Sequence, residues 1–148
     1  MSDRQRRRLI GACLTLAAVI AAYWVLWFTH RSLVASSTGS VYVNFEQAFP
    51  LADAFIVLFP LLSARALARR SPSAVLLLLL GAGAGFYLGG MDVLFDLEHD
   101  IWSRGANGLV ELAINIVTFV AATSIARWVW SHRRALDPAS NEPRSVGR

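Results

Sequence analysis

Four apolar stretches constrain this chain more than anything else in it: Leu9–Phe28, Phe49–Ala64 with its flanks, Ala74–Phe95 and Leu109–Trp130. A helix of about 20 apolar residues spans roughly 30 Å, the thickness of a bilayer's hydrocarbon core. Apolar residues make up 55% of the chain, a share that large soluble cores also approach. What decides the class is their grouping, because a soluble fold of these helices would have almost nothing polar left to face water. The pattern predicts an all-α, polytopic membrane protein, a four-transmembrane-helix bundle with spans at about 9–29, 47–65, 73–96 and 108–130. The helices fill one domain over 1–134, and the lipid bilayer is their first partner. The residues after it are polar and contain Asp137-Pro138 and Glu142-Pro143, which predicts a disordered cytoplasmic tail over 135–148.

The charges set an orientation. All 14 positive residues are Arg. Arg4, Arg6, Arg7 and Arg8 precede the first span, Arg65, Arg69 and Arg70 separate the second and third, and Arg127, Arg133, Arg134, Arg144 and Arg148 gather at the end of the fourth and beyond. The other two linkers hold only Arg31 and Arg104. Cytoplasmic loops carry the positive excess, so both termini and the middle loop are expected in the cytoplasm. Arg clusters at membrane edges pair with anionic headgroups, so the basic pI of about 10.2 points to lipid and not to nucleic acid. With Arg-only, Ala-rich usage, the expected location is a bacterial inner membrane.

Several classes drop out early. One thiol, Cys13, can form no disulfide within the chain and cannot run the paired-thiol exchange of quinone or vitamin K oxidoreductases. The first apolar run is longer than a signal h-region of about 7–15 residues, so a retained anchor is expected. Ile10-Gly11-Ala12-Cys13 imitates a lipoprotein box but precedes the run instead of following it. No internal repeat suggests an inverted-repeat transporter. Asp92 and Asp96 match half of the CDP-alcohol phosphotransferase motif, and the other half is absent.

Along the chain, Tyr23, Trp24, Trp27, Phe28 and Trp102 mark the outer interface, and Trp128 and Trp130 the inner one. Val41-Tyr42-Val43 in the first outer linker suits a short extended piece. Pro50 fits a helix's first turn, while Pro60 lies deeper in the second span, where it is expected to kink the helix. Gly81, Gly85 and Gly89 stand at four-residue spacing, a face that lets another helix approach closely. That partner helix belongs either to the same chain or to a second copy or larger membrane complex.

The acidic residues carry the functional signal. Glu46, Asp53, Asp92, Asp96, Glu98, Asp100 and Glu111 all fall in the outer half or its loops. A carboxylate at mid-bilayer costs roughly 2.5–3.5 kcal/mol and is a functional hypothesis by default. Glu46 and Asp53 are seven apart, which puts them on one helix face. Asp92 and Asp96 continue the glycine stripe with His99 beyond, and Glu111, Asn115 and Thr118 share a face of the last span. Glu98 and Asp100 also suit a solvated loop, and Glu111 a helix start. The expected site is an outward-facing acidic pocket of Glu46, Asp53, Asp92, Asp96, Glu111 and Asn115, with His99 at its edge.

That pocket suits several uses. It could hold a divalent metal, with His99, Asp92 and Asp96 as the ligand set; no other cofactor is implied. It could run acid–base catalysis on a lipid-soluble substrate. The leading expectation is binding or translocation of a small cation or cationic solute, with transport requiring a dimer. An intramembrane enzyme, or an accessory subunit of a membrane complex, is the alternative. The segments Phe45–Asp53 and Tyr87–His99 resemble those of small bacterial four-helix integral membrane proteins; the resemblance implies a bundle over roughly 40–130 and no activity.

Overall fold

The computed structural model describes residues 1–35 and 38–136. Its helices are α1 (Asp3–Thr29), α2 (Ser40–Glu46), α3 (Pro50–Ala68), α4 (Ser73–Glu98) and α5 (Gly105–Leu136). Single 3₁₀ turns follow α1 (Arg31–Leu33) and α4 (Ile101–Ser103), and no strand occurs among the described residues. Four helices are long and apolar enough to cross a membrane, with α2 and α3 counted as one across the turn between them. They make a four-helix bundle and fit a multi-pass membrane protein. Its perimeter is apolar: Leu14, Val19, Leu51, Leu76, Leu109 and Val117 are all exposed, as a surface solvated by lipid requires.

Each long helix packs chiefly on its neighbour in sequence, α1 on α3, α3 on α4 and α4 on α5. Up-and-down topology puts both ends of the described chain at one end of the bundle, the termini end, and α2 with the α4–α5 turn at the other, the far end. Two clusters fill the interior. Cys13, Ala64, Leu67, Ala74, Leu78 and Val129 pack toward the termini end. Trp27, Tyr42, Phe95 and Ile101 pack at the far end.

The glycine stripe is used inside the chain. A methyl at Gly81 would meet Phe59 Cβ of α3 at 3.4 Å, and one at Gly85 would meet Ala122 Cβ of α5 at 3.6 Å. At Gly89 it would stand 3.0 Å from Thr118 Cγ2. The small residues therefore let α4 sit close to both of its neighbours, one of the two partners the spacing left open.

Several boundaries differ from expectation for identifiable reasons. α1 starts at Asp3 because Ser2 and Gln5 form a capping box, Ser2 Oγ accepting from the Gln5 amide and Gln5 Oε1 from the Ser2 amide. Residues 41–43 are helical, not extended, and Tyr42 is buried at the heart of the far-end cluster. Glu46 and Asp53 do not share one continuous helix. Pro50 has no N–H to offer the Glu46 carbonyl, so the Phe49 amide takes it at 3.0 Å, and the chain turns before α3 begins with Pro50 in its first turn. Pro60 lies buried inside α3, as its position implied. α5 runs through Ala135 and Leu136, which the sequence pattern assigns to the tail; the rest of the expected tail, 137–148, lies outside the described residues.

The α4–α5 connection depends on two glycines. Gly105 has φ +68°, a left-handed conformation that side chains disfavour. At Gly108 an added methyl would collide with the Ile101 carbonyl oxygen and stand 2.8 Å from the Trp102 carbonyl. Overpacking of this kind typically costs about 1–3 kcal/mol. Gly108→Ala is therefore expected to lower the thermal unfolding midpoint in detergent by several degrees. Gly83→Ala, with nothing within 4 Å of the new methyl, serves as the control and should not lower it; equal behaviour of the two variants would contradict this packing.

Candidate functional site

A buried carboxylate needs hydrogen-bond donors or a counter-charge, and at the far end the donors are aromatic. On α1, the Tyr23 hydroxyl donates to Glu46 Oε2 at 3.3 Å and Trp24 Nε1 donates to Asp53 Oδ2 at 2.9 Å. From α2, the Tyr42 hydroxyl donates to Glu111 Oε1 on α5 at 3.2 Å. From the α4–α5 turn, Trp102 Nε1 donates to Asp96 Oδ2 at 2.9 Å. The same Oδ2 accepts from Asn115 Nδ2 of α5 at 2.7 Å. Four carboxylates on four helices are thus each held by a Tyr or Trp from another element.

The structure brings five of the expected carboxylates together. Asp92 stands close enough to feel the charges of Asp53, Asp96 and Glu111, and Glu46 those of Asp53, Asp92 and Glu111. Burial deepens across the group: Glu46, Asp53 and Asp92 are half-buried, whereas Glu111 is 9%, Asp96 3% and Asn115 2% exposed. Among the described residues no Arg, Lys or His lies within ion-pair range of Glu46, Asp53, Asp92 or Asp96. The two ion pairs found there, Asp3–Arg6 and Asp3–Arg70, are at the termini end. So is a cleft of about 190 Å³ bordered by Asp3, Arg6, Leu67, Arg70 and Leu136.

The walls around the carboxylates are rings. Phe45 of α2 stacks on Phe95 of α4 with centroids 3.7 Å apart and planes 8° from parallel, and Tyr42 approaches Phe95 at 6.3 Å. Trp27 contacts Tyr23, Trp24 and Tyr42. Arg31 stands beside this wall, its guanidinium 5.0 Å over the Trp27 ring. Three buried polar atoms here find no hydrogen-bond partner: the acceptor Asn115 Oδ1 and the donors Trp27 Nε1 and Arg31 Nε.

Some expected members stand apart. His99 is turned onto its own helix. Its Nδ1 lies 2.9 Å from the Phe95 carbonyl of its own helix, and its ring stacks on Phe95 at 4.1 Å. Among the described residues no three His, Cys, Asp or Glu side chains stand together as a metal would need. α4 ends one residue before His99, and the Arg104 guanidinium caps the freed His99 carbonyl at 2.7 Å, so the expected helical face does not continue through it. Glu98 and Asp100 are exposed on the rim, which is the solvated-loop reading of those two.

Sequence reasoning took Tyr23, Trp24 and Trp102 only as interface markers and gave Tyr42 no role; all four are donors to the carboxylates. Their side-chain partners are 6 to 69 residues away in sequence, so no local spacing reveals them. A usable signal was the near-equality at one end of the chain's spans between buried acids and aromatic residues that carry an N–H or O–H. The chain matches no protein-family model, no curated protein and no solved structure. The resemblance of Phe45–Asp53 and Tyr87–His99 to small bacterial membrane proteins therefore draws no support from these comparisons, and the site is read from its geometry.

Hydrogen bonds to a charged acceptor contribute about 1.5–3 kcal/mol. Trp102→Phe and Trp24→Phe, which keep a ring and remove the donor, should each destabilise the purified protein by an amount in that range. Trp130→Phe, at an exposed position, should be close to neutral. Urea or thermal unfolding in a single detergent would decide it; three equal variants would mean that the aromatic donors do not hold the carboxylates.

Proposed function

We propose that this chain is a multi-pass protein of a bacterial inner membrane, with both termini cytoplasmic, whose far-end carboxylates bind or translocate a small cation or cationic solute. The observation that carries this reading is a group of five acids on four helices, with Glu46 and Asp92 each within reach of three of the others' charges, and four of the five have no cationic partner among the described residues. Such a group is costly beside lipid and gains stability when a cation enters. The half-buried members, Glu46, Asp53 and Asp92, form the approach, and Asp96 with Asn115 the deeper part.

Orientation rests on the Arg distribution: Arg65, Arg69, Arg70, Arg133 and Arg134 sit at the termini end, and only Arg31 and Arg104 at the far end. In that orientation the site opens to the outer side. Acid–base catalysis is the second reading; His99 has its Nδ1 against the Phe95 carbonyl of its own helix, so the carboxyls would be the proton carriers. Translocation would require a second copy or a partner, since a single four-helix chain offers no second gate.

Two measurements test this. Thermal stability of the purified protein against divalent metals and cationic amines should show a rise of several degrees with at least one class, lost in Asp92→Asn. No rise with any of them, beside an Asp92→Asn protein as stable as the parent, would remove the cation-site reading. For orientation, a cysteine placed at Ser2 in a Cys13→Ala background should resist an impermeant maleimide in intact cells and react after lysis; labelling in intact cells would reverse the topology.

A further inference from the structure

We infer that the cation this site takes carries N–H donors, as an alkylammonium or guanidinium group does, and that Asn115 Oδ1 and Asp96 Oδ1 receive them. The inference rests on the proposed reading of the far-end carboxylates as a cation site, and it names the chemistry that reading leaves open.

An ionised carboxylate can only accept hydrogen bonds, so the Asn115 amide must turn its NH₂ end toward Asp96, and Nδ2 does lie 2.7 Å from Asp96 Oδ2. That choice strands the other end of the amide. Asn115 is 2% exposed, and no donor reaches its Oδ1. Buried acceptors in folded proteins are nearly always satisfied, so an orphan oxygen held against an acidic group marks a place where a donor belongs. Beside it Asp96 offers an acceptor that is open without being fully buried. Trp102 and Asn115 both donate to Oδ2, and no described residue donates to Oδ1.

The neighbouring groups narrow the ligand further. A divalent metal needs six or more oxygens at close range, yet no three candidate ligands stand together among the described residues. A quaternary ammonium can lie against the aromatic rings but has no N–H to give, so it would leave Asn115 Oδ1 as it found it. A protonated amine satisfies both demands at once: positive charge for the carboxylates and donors for the two oxygens. Trp27 Nε1 and Arg31 Nε, the unmatched donors, lie beyond the Tyr42 ring and ask for an acceptor, so they do not compete for the ammonium.

The test compares cations of matched tail on the full chain in lipid nanodiscs, read by isothermal titration calorimetry: n-butylammonium, n-butyltrimethylammonium and calcium chloride. n-Butylammonium is expected to bind at least tenfold more tightly than its trimethyl counterpart, and Asn115→Leu to reduce that preference to threefold or less. Equal or tighter binding of the trimethyl compound, or binding of calcium alone, would overturn the N–H inference while leaving a cation site in place. Binding of none of the three would overturn both. A preference that survives in a folded Asn115→Leu protein would also overturn the assignment. Should that variant fail to fold, the ligand comparison in the unmodified protein decides the class alone.

Discussion

A carboxylate placed inside an apolar bundle has to be met by a donor, and that requirement organises the far end of this protein. Lipid offers no hydrogen bonds, so the donors must come from the chain itself. They come from Tyr23, Trp24, Tyr42 and Trp102, residues that bring a large apolar body together with one polar atom. The same side chains thus fill the space between helices and satisfy the acids.

α2 exists in this arrangement for that purpose. It is seven residues long, too short to be stable alone, and it is held by side chains that point into the bundle. Tyr42 reaches across to Glu111, Phe45 lies flat on Phe95, and Glu46 accepts from Tyr23. The turn at Pro50 separates α2 from α3 and sets Glu46 off the helical register of Asp53, yet the two acids still end within reach of each other's charge. The α4–α5 turn does the same work from the other side, since Gly108 admits the loop backbone that carries Trp102 to Asp96.

The two ends of the bundle accordingly differ in kind. Toward the termini the interior is made of small and aliphatic residues such as Ala64, Ala74, Leu78 and Val129, and charge sits at the surface as Arg. At the far end charge is inside, negative, and enclosed by rings. Burial deepens across the carboxylates, from the half-buried Asp53 and Asp92 to the buried Asp96–Asn115 pair.

The four-helix membrane architecture was legible in the residues because hydrophobic length and Arg placement are local properties: about 20 apolar residues span a bilayer wherever they occur. The candidate carboxylates were legible for the same reason, as Asp53 and Asp92 are conspicuous within apolar runs. The glycine spacing announced a close helix contact, but Ala122 and Thr118 as its partners came only from the fold. So did the helical state of 40–46, which tertiary contacts of Tyr42 and Phe45 impose on a segment with a β-branched, aromatic composition. His99 shows the limit most clearly: spacing placed it beside Asp96, and the end of α4 turned it back onto Phe95. What the sequence by itself determined was which stretches are long and apolar enough to cross a membrane and which acids fall within or beside them, because one-dimensional hydropathy decides that. Which donor meets which acid, and that Asn115 Oδ1 is left over, only the tertiary structure decided, because those pairings join residues from helices whose rotation about their own axes no local pattern specifies.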